Sequence, residues 1–498
     1  MLFNSTGFLI FFPIVILGYF RIPQKYKSLW LLGASYFFYA SWNPVYLLLL
    51  LSTTFVSWAG GILIGRAGSR ENVFGKKCVL AVCILWNLGV LFFFKYISFI
   101  TASLMEGLKL FGVSVKLPVF DVMLPVGISF YTFQALGYLF DVYRKEIPEE
   151  KNFLRYALFL SFFPQLVAGP IERSKNLMHQ IKEEHPIDWD RVKSGLLLMG
   201  WGYFQKLVIA DRIAILVTEV YGHYSEYSGL QIWLATVLFA FQIYCDFCGY
   251  SDIAVGAARV LGFSLTKNFR SPYYSLSVSE FWRNWHISLT TWFRDYIYIP
   301  LGGNRRGKWK KYRNLLITFL LSGIWHGAGW NYAFWGLLNG FYQVAGDLTG
   351  PFRRKLQEKL HIRRDCFSYR LLQRGITFCF IDFAWLFFRA DSLTAALRML
   401  ARSVTDPGLF MSFDPNNIFC INTMVLSEKE FLVLLLSLAL LMLVDHWKRK
   451  KVDIRGGVLD RQNVWFRWLV YYGLIFSIVL FGVYGPEYDA STFIYFQF

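Results

Sequence analysis

Apolar runs of transmembrane length recur along the chain between short polar and basic turns, and none alternates in the ten-residue rhythm of a membrane β-barrel. A helix needs roughly 20 apolar residues to cross a bilayer, and about ten segments approach that length. The pattern predicts an all-α polytopic membrane protein with spans near 3–20, 28–42, 45–65, 78–99, 123–142, 194–220, 229–262, 372–389, 430–446 and 466–484. Segment 153–169 lies between two charged stretches and is expected to dip into the membrane and return. Segment 315–348 has strongly basic loops on both sides, so it must cross twice as two short broken helices, or re-enter, with its turn near 326–330. The first run, 8–20, lacks a basic leader and a small-residue cleavage site, and reads as a span and not a signal peptide. No repeat or long linker divides the chain, so one transmembrane domain over 1–498 is expected.

Composition sharpens this. Of 498 residues 55% are hydrophobic, and the formal net charge of +18 is gathered into short loops at 21–27, 66–77, 305–313, 353–374 and 448–461. Basic loops of that length mark the cytoplasmic side and attract anionic lipid headgroups, which argues against nucleic acid as the partner. With the N-terminus outside, 143–152 also falls in the cytoplasm, the C-terminus lies outside, and the tail 493–498 reads as an interfacial aromatic anchor. The seven cysteines are odd in number and lack framework spacing, so reduced thiols are expected. Cys245 and Cys248 have metal-pair spacing, but no second pair or nearby histidine completes a site, and no metal is expected.

Within the uncharged stretch 315–345, His326 stands in the run Ser322-Gly323-Ile324-Trp325-His326-Gly327-Ala328-Gly329-Trp330. A polar side chain at membrane depth is a functional candidate, and glycine-broken helix is tolerated there only against protein or a water-filled cavity. A core imidazole satisfied by backbone is the plainer alternative. His286 lies 40 residues earlier, inside the aromatic stretch 268–303, which is too polar for a plain span and too aromatic for a solvated loop. Asp246 and Asp252 share one apolar span, where each carboxylate costs roughly 2.5–3.5 kcal/mol on insertion scales. Their separation of six residues does not make them helical neighbours, so a structural role is expected. The turn Leu301-Gly302-Gly303-Asn304-Arg305-Arg306 is suited to gripping phosphate or to facing lipid headgroups. Nucleophile-elbow, zincin, Walker and dinucleotide motifs are absent.

The motifs PQLVAGPIER (164–173), QKLVIADRIA (205–214), DFCGYSDIAVG (246–256), the 268–303 stretch, SGIWHGAGW (322–330), WLFFRADSLTAAL (385–397) and the FIYFQF tail resemble those of the membrane-bound O-acyltransferases. More narrowly they resemble the bacterial branch containing the alginate O-acetylases and teichoic-acid D-alanyl transfer proteins; Cys248 departs from the small residue expected there. The resemblance implies a bundle of about 10–12 transmembrane helices with re-entrant segments in the bacterial inner membrane. It implies His326 as the catalytic histidine and His286 as the second active-site histidine. It also implies acetyl-CoA as donor with no bound cofactor, an exported cell-surface polysaccharide as acceptor, and extracytoplasmic accessory proteins as partners.

On that footing His326 acts as general base on a sugar hydroxyl that attacks the thioester directly, and His286 or the Trp325 indole N–H stabilises the oxyanion. Trp325, Asn284, Arg294, Arg305 and Arg306 are the candidate substrate- and donor-binding residues, the arginines holding a cytoplasmic donor. Three rivals remain open at this point. One is D-alanyl transfer from a carrier protein. Another is a non-enzymatic transporter, although transporters usually show paired broken helices in internal repeats. The third is a structural assembly subunit whose histidines are vestigial.

Overall fold

The computed structural model describes residues 1–69, 72–115, 118, 123–167, 169–408 and 426–484, so the expected aromatic tail and Cys420 lie outside the described residues. Every regular element among the described residues is helical. The chain divides into two compact units, one built from 1–199 and 250–266, the other from 200–249 and 267–484.

The first unit holds α1 (Thr6–Arg21), α2 (Gln24–Ala40), α3 (Pro44–Ser69), α4 (Val73–Leu110), α5 (Ile128–Tyr143), α6 (Phe153–Ser161), α7 (Phe163–Leu166), α8 (Ser174–Gln180) and most of α9 (Trp189–Tyr203). Buried on nearly every side, α5 forms the centre of this unit. It starts at Gly127, whose left-handed backbone passes so close to α7 that a Cβ would stand 2.4 Å from the Leu166 carbonyl oxygen. At nine and four residues, α6 and α7 are each too short to cross a bilayer. The Gln134 and Gln165 amides both donate to the Phe159 carbonyl, at 2.9 and 2.6 Å, and so satisfy backbone that the end of α6 leaves open.

The second unit contains α10 (Asp211–Gly222), α11 (Gly229–Leu261) up to residue 249, α12 (Val278–Asn284), α13 (Ile287–Phe293), α14 (Lys308–His326), α15 (Trp330–Leu348), α16 (Gly350–Lys359), α17 (Phe367–Arg389), α18 (Leu393–Thr405), α19 (Glu428–Arg449) and α20 (Val464–Phe481). A π-helix, Phe204–Ala210, joins α9 to α10, and a second, Arg294–Tyr298, continues α13. Six helices among the described residues, α3, α4, α11, α17, α19 and α20, are long and apolar enough to cross a membrane. The protein is therefore a polytopic helical membrane protein. Segment 315–348 is a helical hairpin, α14 and α15, broken at residues 327–329.

Two glycines set the spacing of that hairpin. A Cβ on Gly323 would lie 2.3 Å from the Tyr332 carbonyl oxygen, and one on Gly336 would lie 2.4 Å from that of Phe319. Small residues at such crossings let backbones touch, which is how helices associate where no hydrophobic gain separates protein from lipid.

Candidate active site

Three local features of the second unit place the two histidines. His326 is the last residue of α14, and the chain turns at once through Gly327. The Tyr332 ring lies across that turn, 2.2 Å from where a Gly327 Cβ would be, so a side chain there would displace the ring. His286 sits between α12 and α13 with φ 42° and ψ 56°, the left-handed conformation. For a residue with a Cβ this costs roughly 1–2 kcal/mol, so the surroundings must impose it. α12 itself is held at its start, where the Ser277 hydroxyl accepts from the Glu280 N–H and the Glu280 carboxylate accepts from the Leu276 N–H at 2.8 Å. Arg449 of α19 pairs with the same carboxylate at 3.2 Å.

Both imidazoles are buried, His286 at 1% exposure and His326 at 3%. The His326 ring packs edge-on against Trp335 at 5.1 Å and Phe388 at 5.4 Å, and beside Trp325 at 4.9 Å. His286 packs against Phe247 of α11 at 4.5 Å and Trp325 at 6.1 Å. Trp325 is thus the shared wall between the two histidines. Behind it Trp335 stacks on Trp385 at 5.8 Å, and Trp385 packs on Trp285 at 5.1 Å. His326 is surrounded by close aromatic packing.

Asparagines fix this box in place. The Asn331 amide donates to the Ala390 carbonyl at 2.8 Å and ties α15 to the end of α17. The Trp282 indole donates to the Asn339 side chain at 3.1 Å and ties α12 to α15.

The other residues singled out in the sequence fall into different places. Asn284 closes α12, its amide donating to the Ser275 hydroxyl at 3.2 Å. Arg294 is exposed and paired with Asp295 at 2.8 Å. Arg305 and Arg306 are exposed on the turn before α14. From Lys308, just after that turn, the rise of α14 carries the chain about 27 Å to His326. Asp246 is buried and bound to Lys206, while Asp252, six residues along the same helix, is half-buried in the other unit. Among the described residues no group of His, Cys, Asp and Glu side chains is placed to hold a metal ion.

Three groups were not singled out from the sequence. Lys206, 1% exposed, bridges Asp211 at 2.8 Å and Asp246 at 2.7 Å. The π-helix makes this possible: it returns residue i+5 to residue i, and the Asp211 N–H caps it by donating to the Lys206 carbonyl. Asp445 of α19 accepts from the Tyr244 hydroxyl at 2.7 Å, and its carbonyl accepts from Ser271 at 3.0 Å. Asn268 contacts the backbone on the far side of His286.

Comparison with known proteins identifies the family. The model of the membrane-bound O-acyltransferase family matches residues 26–388. The chain is 34% identical to a probable alginate O-acetylase of Pseudomonas putida over the full length of both. It is 36% identical to a peptidoglycan O-acetyltransferase of Helicobacter pylori, over 80% of this chain and 79% of that one. A teichoic acid D-alanyltransferase of Bacillus subtilis is 26% identical over 46% of this chain and 60% of its own.

Proposed function

The chain belongs to the membrane-bound O-acyltransferase family and is an O-acyltransferase, and from that premise we propose that it moves an acetyl group from a cytoplasmic thioester, acetyl-CoA, across the inner membrane to hydroxyls of an exported polysaccharide. The observation that carries this reading is the convergence of His286 and His326 on Trp325 at the end of a broken intramembrane hairpin. Two relatives that cover most of this chain are named for O-acetyl transfer, whereas the D-alanyltransferase covers less than half of it. That difference favours acetate over D-alanine.

A sugar hydroxyl is a poor nucleophile until its proton is removed as the new bond forms. His326 takes that proton while the hydroxyl oxygen attacks the thioester carbonyl carbon. The carbonyl oxygen becomes an oxyanion, for which the Trp325 indole N–H or His286 is the donor. The C–S bond then breaks, and the imidazolium of His326 returns its proton to the departing thiolate. Since both rings are closed in by Trp335, Phe388 and Phe247, opening of the aromatic box precedes the chemistry. Arg305 and Arg306, on the turn at the opposite end of α14 from His326, hold the anionic end of the donor while its acyl end reaches inward. Accessory proteins outside the cytoplasm deliver the polymer.

Mass analysis of surface polysaccharide from cells with and without the protein tests the reading. Ester-linked acetate that disappears with the gene product supports it. An unchanged acetyl content, or loss of D-alanine in its place, contradicts it.

A further inference from the structure

The left-handed backbone of His286 is held by one side. Asn268, 2% exposed, accepts the Ile287 N–H on its own carbonyl at 2.9 Å. Its side-chain oxygen accepts the Ser288 hydroxyl at 2.7 Å and the Ser288 N–H at 3.3 Å. The two residues that follow His286 are therefore both bolted to Asn268. On the preceding side the Asn284 carbonyl accepts the Arg270 N–H at 3.0 Å, so 268–270 runs beside 284–288 as a brace.

These bonds hold the turn in which His286 keeps its φ of 42°. A relaxed turn returns to the ordinary right-handed or extended regions, because the left-handed one crowds the Cβ. Rotation of that backbone carries the imidazole off the Phe247 ring, which it meets edge-on at 4.5 Å, and away from Trp325. We infer that Asn268 is a positioning residue for the acyl transfer: it acts through His286, whose backbone it locks so that the second imidazole faces the reacting centre. This rests on the reading of His286 as part of the acyl-transfer site. Ser288 completes the lock as the partner of the Asn268 side chain.

The test uses membrane vesicles from the producing cells, labelled acetyl-CoA as the donor probe, and deacetylated polysaccharide from the same cells. Rates are normalised to protein that elutes as a single species in detergent and melts well above the assay temperature. Asn268→Ala is expected to lower kcat by about 100-fold, the size of effect that follows from misplacing a catalytic group by an ångström, with KM for acetyl-CoA unchanged. Ser288→Ala, which removes one bond of the lock, gives a smaller drop of about fivefold, and Ser288→Thr, which keeps the hydroxyl, restores most of the rate. If Asn268→Ala does not accumulate, the Ser288 pair carries the same test. Wild-type kcat in Asn268→Ala, or equal loss in Ser288→Ala and Ser288→Thr, overturns the proposal. Wild-type vesicles that transfer no label overturn the acetyl-transfer reading beneath it.

Discussion

Lys206 lies between two carboxylates at hydrogen-bonding distance with almost no access to solvent, and its removal takes the same cation from Asp211 and Asp246. Breaking a buried pair by deleting one partner typically costs about 3–5 kcal/mol, because the remaining charge is left uncompensated. Lys206→Met is thus expected to lower thermal stability in detergent sharply, and Lys206→Met combined with Asp246→Leu to recover part of it. Equal melting temperatures for wild type and Lys206→Met would contradict the assignment. Asp246 is one residue from Phe247, which packs on His286, so this cluster also fixes the back wall of the site. His326 stood out in the sequence as an imidazole among apolar neighbours, whereas His286 drew notice through the aromatic stretch around it and the family resemblance. Lys206 did not stand out, since its partner Asp211 lies five residues on, a spacing that an ordinary α-helix turns to different faces and only a π-helix brings together. Asn268 was hidden for another reason: its importance comes from a backbone conformation at His286 that no sequence pattern announces.

At the scale of elements, the α14–α15 hairpin was readable from charge alone, because basic loops on both sides of 315–348 demand an even number of crossings. Its close packing was not, although SGIWHG and the Gly336 and Gly340 positions carry the small residues it needs. Gly336→Leu would drive a side chain into the Phe319 carbonyl and is expected to prevent accumulation of folded protein, whereas Gly346→Leu, which meets open space, should be tolerated. Comparable yields of the two variants after detergent extraction would contradict the packing. α4 runs to 38 residues, about 57 Å, well past the expected span 78–99, because its end turns are helical without being strongly apolar. The aromatic stretch 268–303 was recognisable as unusual, but its division into α12, α13 and a π-helix depends on tertiary contacts with α15 and α19.

For the whole molecule, the sequence conveyed an all-helical membrane protein and an uneven spread of positive charge, whereas the division into two compact units left no linker to mark it. The orientation drawn from the basic loops puts the 353–374 segment in the cytoplasm. Cys366 at the start of α17 tests this, since hydrogen bonding to the Ser368 hydroxyl and neighbouring backbone holds its thiol below the usual range, and a lowered thiol reacts more readily with maleimide. A membrane-impermeant maleimide should label it in inside-out vesicles and not in intact cells; the opposite pattern would invert the topology. The central claim, that one intramembrane imidazole removes the acceptor proton, is tested most directly by His326→Ala in the vesicle transfer assay. Loss of the general base predicts a fall in kcat of about 100-fold or more, with the variant still inserted and monodisperse. Transfer at the wild-type rate by that variant would contradict the account.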